Sequence, residues 1–279
     1  MHELPLVFFT VFGQLSAGMV FLSSLYYLVN HTKDKLSIIQ KINVISLIFM
    51  AIGMIIASFH LGHPLRALNV IFGIGRSPMS NEIFTFGVLF GVTFASVVLN
   101  YFSCCPTNDK FKFFRVICSK INKIPYVNGL LSAVLILLSI VFVWTIVLTY
   151  MLPTVKTWDT YYTALQMYTA MFALGGIASA MLGLKRLGSV VFFIGGLLIL
   201  LLKIPYANLM ATITPELTAQ QSGWMIGECA LILVALLLVI INIWRANYSM
   251  VLSIIAFACV FVAEICGRIV FYNLWIIPL

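Results

Sequence analysis

An all-α integral membrane protein, built as a bundle of eight transmembrane helices, is the fold class this sequence predicts, and three observations predict it. Of 279 residues, 62% are hydrophobic and 9% charged, with a mean hydropathy of +1.11. A soluble domain is nearer half apolar and a quarter charged. Eight apolar runs each approach or exceed the roughly 18–20 residues that cross a hydrocarbon core. None of the short alternating segments of a membrane barrel is present.

The runs fall at about 4–29, 42–60, 83–103, 128–151, 165–183, 189–209, 225–243 and 249–272, and together read as one transmembrane domain over 1–279. The first lacks a basic leader and is too long for a signal-peptide core, so it reads as a span. The second, fifth and seventh are near the minimum length. Gly175-Gly176 through Ala180, and Gly195-Gly196, suit close helix packing. No internal repeat or separate domain is evident in the sequence.

Charge between the runs sets the orientation. Eleven cations (Lys33, Lys35 and Lys41; five from Lys110 to Lys123; Lys185, Arg186 and Arg245) fall in the first, third, fifth and seventh loops. The other side holds five: Arg66, Arg76, Lys156, Lys203 and Arg268. The richer side is expected in the cytoplasm, with both termini and the loop Ser58–Glu82 on the periplasmic side. Six of the eight carboxylates also fall on or near that outer side, where the chemistry is therefore sought. The net charge of +8 lies between spans, not on one face, so it is a topology and lipid signal and not a nucleic-acid one.

The loop Ser58–Glu82 carries His60, His63, Arg66, Arg76 and Glu82 in a sequence otherwise poor in charge. This concentration suits a place where a small redox molecule is held and deprotonated. His60 closes the second span. There it either complements the helix macrodipole or, as an ionisable group at membrane depth with a pKa near neutrality, accepts a proton, and the second reading is favoured. For His63 and Arg76 solvent, lipid or partner contact is the simpler reading. Arg66 could neutralise a developing anion. Glu82 follows Ser80, a candidate N-cap, so first-turn electrostatics competes evenly with a proton-relay role.

Deeper in the spans, Glu264, Arg268 and Tyr272 share a helix face at i, i+4, i+8, which predicts a structural ion pair between Glu264 and Arg268. Lys203 is expected to snorkel, Glu228 is left open, and Trp158, Tyr161 and Tyr162 read as an interfacial belt. The six cysteines form no CxxC pair and no metal spacing. Four histidines, two of them near or outside membrane boundaries, argue against a bis-histidine haem. Nothing could hold an iron–sulfur cluster or a nucleotide, so any electron-carrying metal belongs to another subunit.

These residues resemble the membrane-anchor subunits of bacterial dimethyl sulfoxide reductases along the whole length. The resemblance rests on His2-Glu-Leu-Pro-Leu6 with Phe9-Thr-Val-Phe-Gly-Gln14, and most specifically on His60-Leu-Gly-His-Pro-Leu-Arg-Ala-Leu-Asn69. Ser80-Asn-Glu-Ile83, Val141-Phe-Val-Trp144, Val155-Lys-Thr-Trp158 and Glu264-Ile-Cys-Gly-Arg268 with Phe271-Tyr272 complete it. His63 stands where the family pattern has serine, so two imidazoles compete for the substrate. The resemblance implies an anchor without haem in the bacterial inner membrane, part of an anaerobic respiratory oxidoreductase. Menaquinol would be its bound substrate, and electrons would pass to an iron–sulfur subunit and a molybdopterin catalytic subunit. It carries the quinol site over to His60 and Glu82, with Gly62 nearby. Arg66 matches the motif, and its role comes from its charge. A transporter using Lys203, Glu228, Glu264 and Arg268 as a polar path, and a purely structural anchor, are the competing classes.

Overall fold

The computed structural model describes residues 4–30, 36–58, 64–104, 112–245 and 248–275, giving the backbone alone at 64–68 and 104. Among the described residues there are nine α-helices and no strand: α1 (Leu4–Asn30), α2 (Leu36–Ser58), α3 (Pro78–Cys104), α4 (Lys112–Asn122), α5 (Val127–Tyr150), α6 (Tyr161–Leu182), α7 (Lys185–Ile213), α8 (Pro215–Trp244) and α9 (Met250–Asn273). All but α4 are long and apolar enough to cross a membrane. A 3₁₀ stretch, Pro64–Gly73, precedes α3.

The helices outrun the apolar stretches that reveal them. The seventh apolar run begins at about 225, yet α8 begins at Pro215, because proline is preorganised for a first helical position and the polar Glu216, Gln220 and Gln221 extend the helix past its apolar part. Helix α7 likewise runs on to Ile213 with Pro205 inside it. Helix α4 has no counterpart among the apolar runs, since eleven residues cannot span a bilayer. Its sequence is amphipathic: Phe113, Phe114, Ile117 and Ile121 fall on one arc and Lys112, Arg115 and Ser119 on the other. Cys118 is buried against α3, where its carbonyl accepts from the Ser103 hydroxyl at 3.1 Å, while Phe113 and Phe114 stay exposed. A short amphipathic helix of this kind suits the membrane interface, not a span.

The spans pack as two rings in the same order along the sequence. Helix α1 packs on α2, α2 on α3, α3 on α5 and α5 back on α1; α6, α7, α8 and α9 repeat that sequence of neighbours. The rings join mainly through α1 and α6. These two helices are the interior of the protein, with 78% and 72% of their most apolar stretch buried against 33–44% in the other six. They cross at Gly18 and Gly175, whose backbones touch: a Cβ on Gly175 would overlap the Gly18 backbone, and one on Gly18 would overlap the Met171 carbonyl. The next residue, Gly176, does the same for α7, where a Cβ would lie 2.6 Å from the Phe192 nitrogen. Small residues thus bring three backbones together where lipid offers no hydrophobic drive for helix association.

Candidate functional site

Helix α3 starts from a built turn. Gly75 is at φ 79°, in the left-handed region, and its amide donates to Asn81 Oδ1 at 2.7 Å. The Gly73 carbonyl accepts from the amides of Arg76 and Ser77, at 3.0 and 2.9 Å. Ser77 occupies the cap position, its Oγ accepting the Ser80 amide at 3.5 Å ahead of Pro78. The expected cap at Ser80 is therefore corrected. That residue is already inside the helix, and Glu82 lies beyond the first turn, 4% exposed. First-turn electrostatics does not account for a carboxylate placed there.

Glu82 faces α5. Thr149 lies beside it, with its hydroxyl donating to the Thr145 carbonyl at 2.9 Å, and Tyr150 and Tyr272 are nearby. The two tyrosines are bonded oxygen to oxygen at 2.7 Å, joining the end of α5 to the end of α9. An aromatic wall fixes them: Trp158 stacks on Phe271 (5.3 Å between centroids, 9° between planes) and donates from Nε1 to the Phe271 carbonyl at 2.8 Å. Thr157 donates to the Leu274 carbonyl at 2.7 Å. Trp158 is thus a packed part of the α5–α6 connection and not belt; Tyr161 is exposed as a belt residue would be, while Tyr162 packs against Tyr206. In the stretch leading into α3, Ile71, Phe72, Ile74 and Met79 are exposed, as is Arg76.

Of the other sequence-predicted residues, His60 and Gly62 lie outside the described residues, as does the side chain of Arg66, whose backbone belongs to the 3₁₀ stretch. The structure therefore places Glu82 and leaves its predicted companions to the sequence.

A second polar group lies deeper at the same end of the bundle. Lys203 of α7 and Glu228 of α8 are an ion pair at 2.5 Å, both almost fully buried. Lys203 does not snorkel. Gly267 of α9 makes room for the pair, since a Cβ there would come within 2.7–2.8 Å of the Glu228 carboxylate. The expected Glu264–Arg268 pair is not formed within 4.0 Å, although the two residues share a helix face. Arg268 turns instead across the bundle, donating from its two terminal nitrogens to Gln14 Oε1 of α1 at 2.8 Å and Met167 Sδ of α6 at 2.7 Å. Gln14 in turn donates to the same sulfur at 3.1 Å. Sequence reasoning named all four charged residues but missed the Lys203–Glu228 contact. Two opposite charges buried in adjacent spans were the available signal.

Replacing Lys203 with methionine leaves Glu228 buried without its cation. Removing one partner of such a pair costs about 3–5 kcal/mol. The solubilised protein should melt distinctly lower, and the double variant Lys203→Met/Glu228→Met should recover most of the loss.

The family model of the DMSO reductase anchor subunit (DmsC) matches residues 1–274. Among curated proteins, the sequence is 30% identical over 181 residues to the YnfH subunit of an anaerobic dimethyl sulfoxide reductase of Escherichia coli K12, which is 64% of this protein and 57% of that one. It is 32% identical over 181 residues to the C subunit of the same organism's anaerobic dimethyl sulfoxide reductase, covering 63% and 55%. The C subunit of the Haemophilus influenzae enzyme is 31% identical over 180 residues, covering 63% and 57%. The matched part thus spans a little over half the length of these relatives. Eight membrane-spanning helices and a family match over nearly the whole length agree with a multi-pass protein of the inner membrane, and the chain belongs to the DMSO reductase anchor subunit family.

Proposed function

We propose that this protein anchors a dimethyl sulfoxide reductase-type respiratory complex and oxidises menaquinol at the Glu82 end of the bundle. The observation that carries the reading is the Glu82 carboxyl itself. It is buried past the first turn of α3, beside Thr149 and a hydrogen-bonded tyrosine pair, directly after the loop that holds His60. Burying an ionisable group without structural gain is costly, and at membrane depth it marks a functional site.

Quinol oxidation removes two electrons and two protons, so the site must accept protons as electrons leave. His60 accepts the hydrogen bond of one quinol hydroxyl and acts as general base. Glu82 takes up or relays the proton toward outer water, and Arg66 stabilises anionic charge during deprotonation. Gly62 matches a family position near that site. Electrons pass to an iron–sulfur subunit docked on the same face and on to a molybdopterin subunit that reduces the terminal acceptor. By the distribution of cationic loops this face is periplasmic, and both termini lie there.

The test is menaquinol-analogue oxidation by membranes carrying His60→Ala, with assembly of the partner subunits followed alongside. Oxidation should fall at least about a hundredfold, the scale of a lost general base, with assembly intact. Full activity in an assembled complex would make His60 a helix cap and the protein a structural anchor.

A further inference from the structure

The deeper group of charges surrounds a cavity of about 20 Å³, lined among others by Lys203, Glu228, Glu264 and Arg268. That volume holds one water when polar partners are present. The partners here are unevenly satisfied. Lys203 and Glu228 neutralise each other. Arg268 has bonded both terminal nitrogens elsewhere, and its Nε has no partner. Glu264 Oε1 has none either, although the residue is 5% exposed.

A carboxyl oxygen in that position must find a water or a proton, because leaving a buried acceptor unsatisfied is costly, and more so when it is charged. The groups facing it decide which. Lys203 and Tyr206 come from α7, Glu228 from α8 and Arg268 from its own helix, while α6 adds only the neutral Gln166 and Thr169. With both carboxylates ionised, the two cations are balanced. Glu228 is engaged by Lys203, whereas Glu264 Oε1 is the carboxyl oxygen of the cluster left without a partner, and so the one open to a proton. Protonation would leave the cluster with a net positive charge.

We propose that this cavity is a proton-exchange site of the second helix ring, in which Glu264 Oε1 takes a proton from a hydronium ion that reaches the cavity, leaving water, and later returns it to water. The forming bond is O–H at Glu264 and the breaking bond is O–H of hydrated proton, with no electron transferred. The site also bears on Glu82. Arg268, one turn beyond Glu264, precedes Tyr272 by another turn, and Tyr272 is bonded to Tyr150 beside Glu82. In a low-dielectric interior, a charge change at Glu264 alters the field at both tyrosines. The coupling to quinol rests on the function proposed above, whereas the proton site does not.

The experiment is infrared difference spectroscopy of the purified complex, first on a pH step and then on quinol addition, in H₂O and D₂O. The pH step should reveal a protonated-carboxyl carbonyl band that shifts in D₂O, is lost in Glu264→Gln, moves but persists in Glu264→Asp, and is kept in His60→Ala. Quinol addition should perturb the same band in the native complex. A pH-step spectrum unchanged by Glu264→Gln overturns the proposal. Should Glu264→Gln fail to assemble, Glu264→Asp decides, since a band unmoved by that change is not from residue 264. If the band behaves as stated while His60→Ala oxidises quinol normally, the proton site stands and the quinol reading fails.

Discussion

Glutamine at position 82 should reduce menaquinol-analogue oxidation by about 10²–10⁴-fold, the range spanned by removal of a positioned general acid or base, while the complex still assembles. The substitution keeps shape and hydrogen-bonding capacity. The amide fits beside Thr149 as the carboxyl does, and the packing of α3 on α5 is unaltered. What it removes is the ability to carry a proton. Steady-state assays on membranes with matched amounts of partner subunits check this, with Glu82→Asp expected to recover part of the rate. A Glu82→Gln enzyme within about tenfold of native would mean that the burial of Glu82 serves packing alone.

Leucine at Gly175 should abolish the folded protein. At this crossing the α1 and α6 backbones touch, so even a single methyl on Gly175 collides with main chain and not with a side chain that could turn away. Overpacking of a tight core costs about 1–3 kcal/mol per modest enlargement, and here the two most buried helices would have to separate along their length. Gly175→Ala should lower the melting temperature of the solubilised protein, and Gly175→Leu should leave none to melt. Gly87→Ala and Gly91→Ala are the controls. A Cβ at either meets nothing within 4 Å, so stability should not change.

The sequence made the eight spans legible because hydrocarbon thickness imposes a length that composition reveals directly. It was weaker wherever polarity continued the helix. The start of α8 was hidden behind Glu216, Gln220 and Gln221, and the start of α3 behind a serine that looked like a cap. The second error mattered, because it turned a buried carboxylate into an apparent first-turn one. Local spacing was also a poor guide to partners in the interior. Glu264 and Arg268 are four residues apart, yet Arg268 bonds a glutamine 254 positions away and a methionine 101 away. Lys203 and Glu228 meet across two helices, and their opposite charge in adjacent spans was the one sign of it in the sequence. Motif resemblance alone singled out Gly62.

The interior placement of α1 has a consequence for how the protein is made. Thr10, Gln14, Ser16 and Ser23 are all fully buried in it. Ser23 finds Asn43 as soon as α2 follows, but Gln14 waits for Met167 of α6 and then for Arg268 of α9. Until α9 inserts, the Gln14 side-chain carbonyl of α1 is without its Arg268 partner. Polypeptides that stop short of α9 therefore leave a polar group of α1 unsatisfied within the membrane, a cost that correct assembly removes.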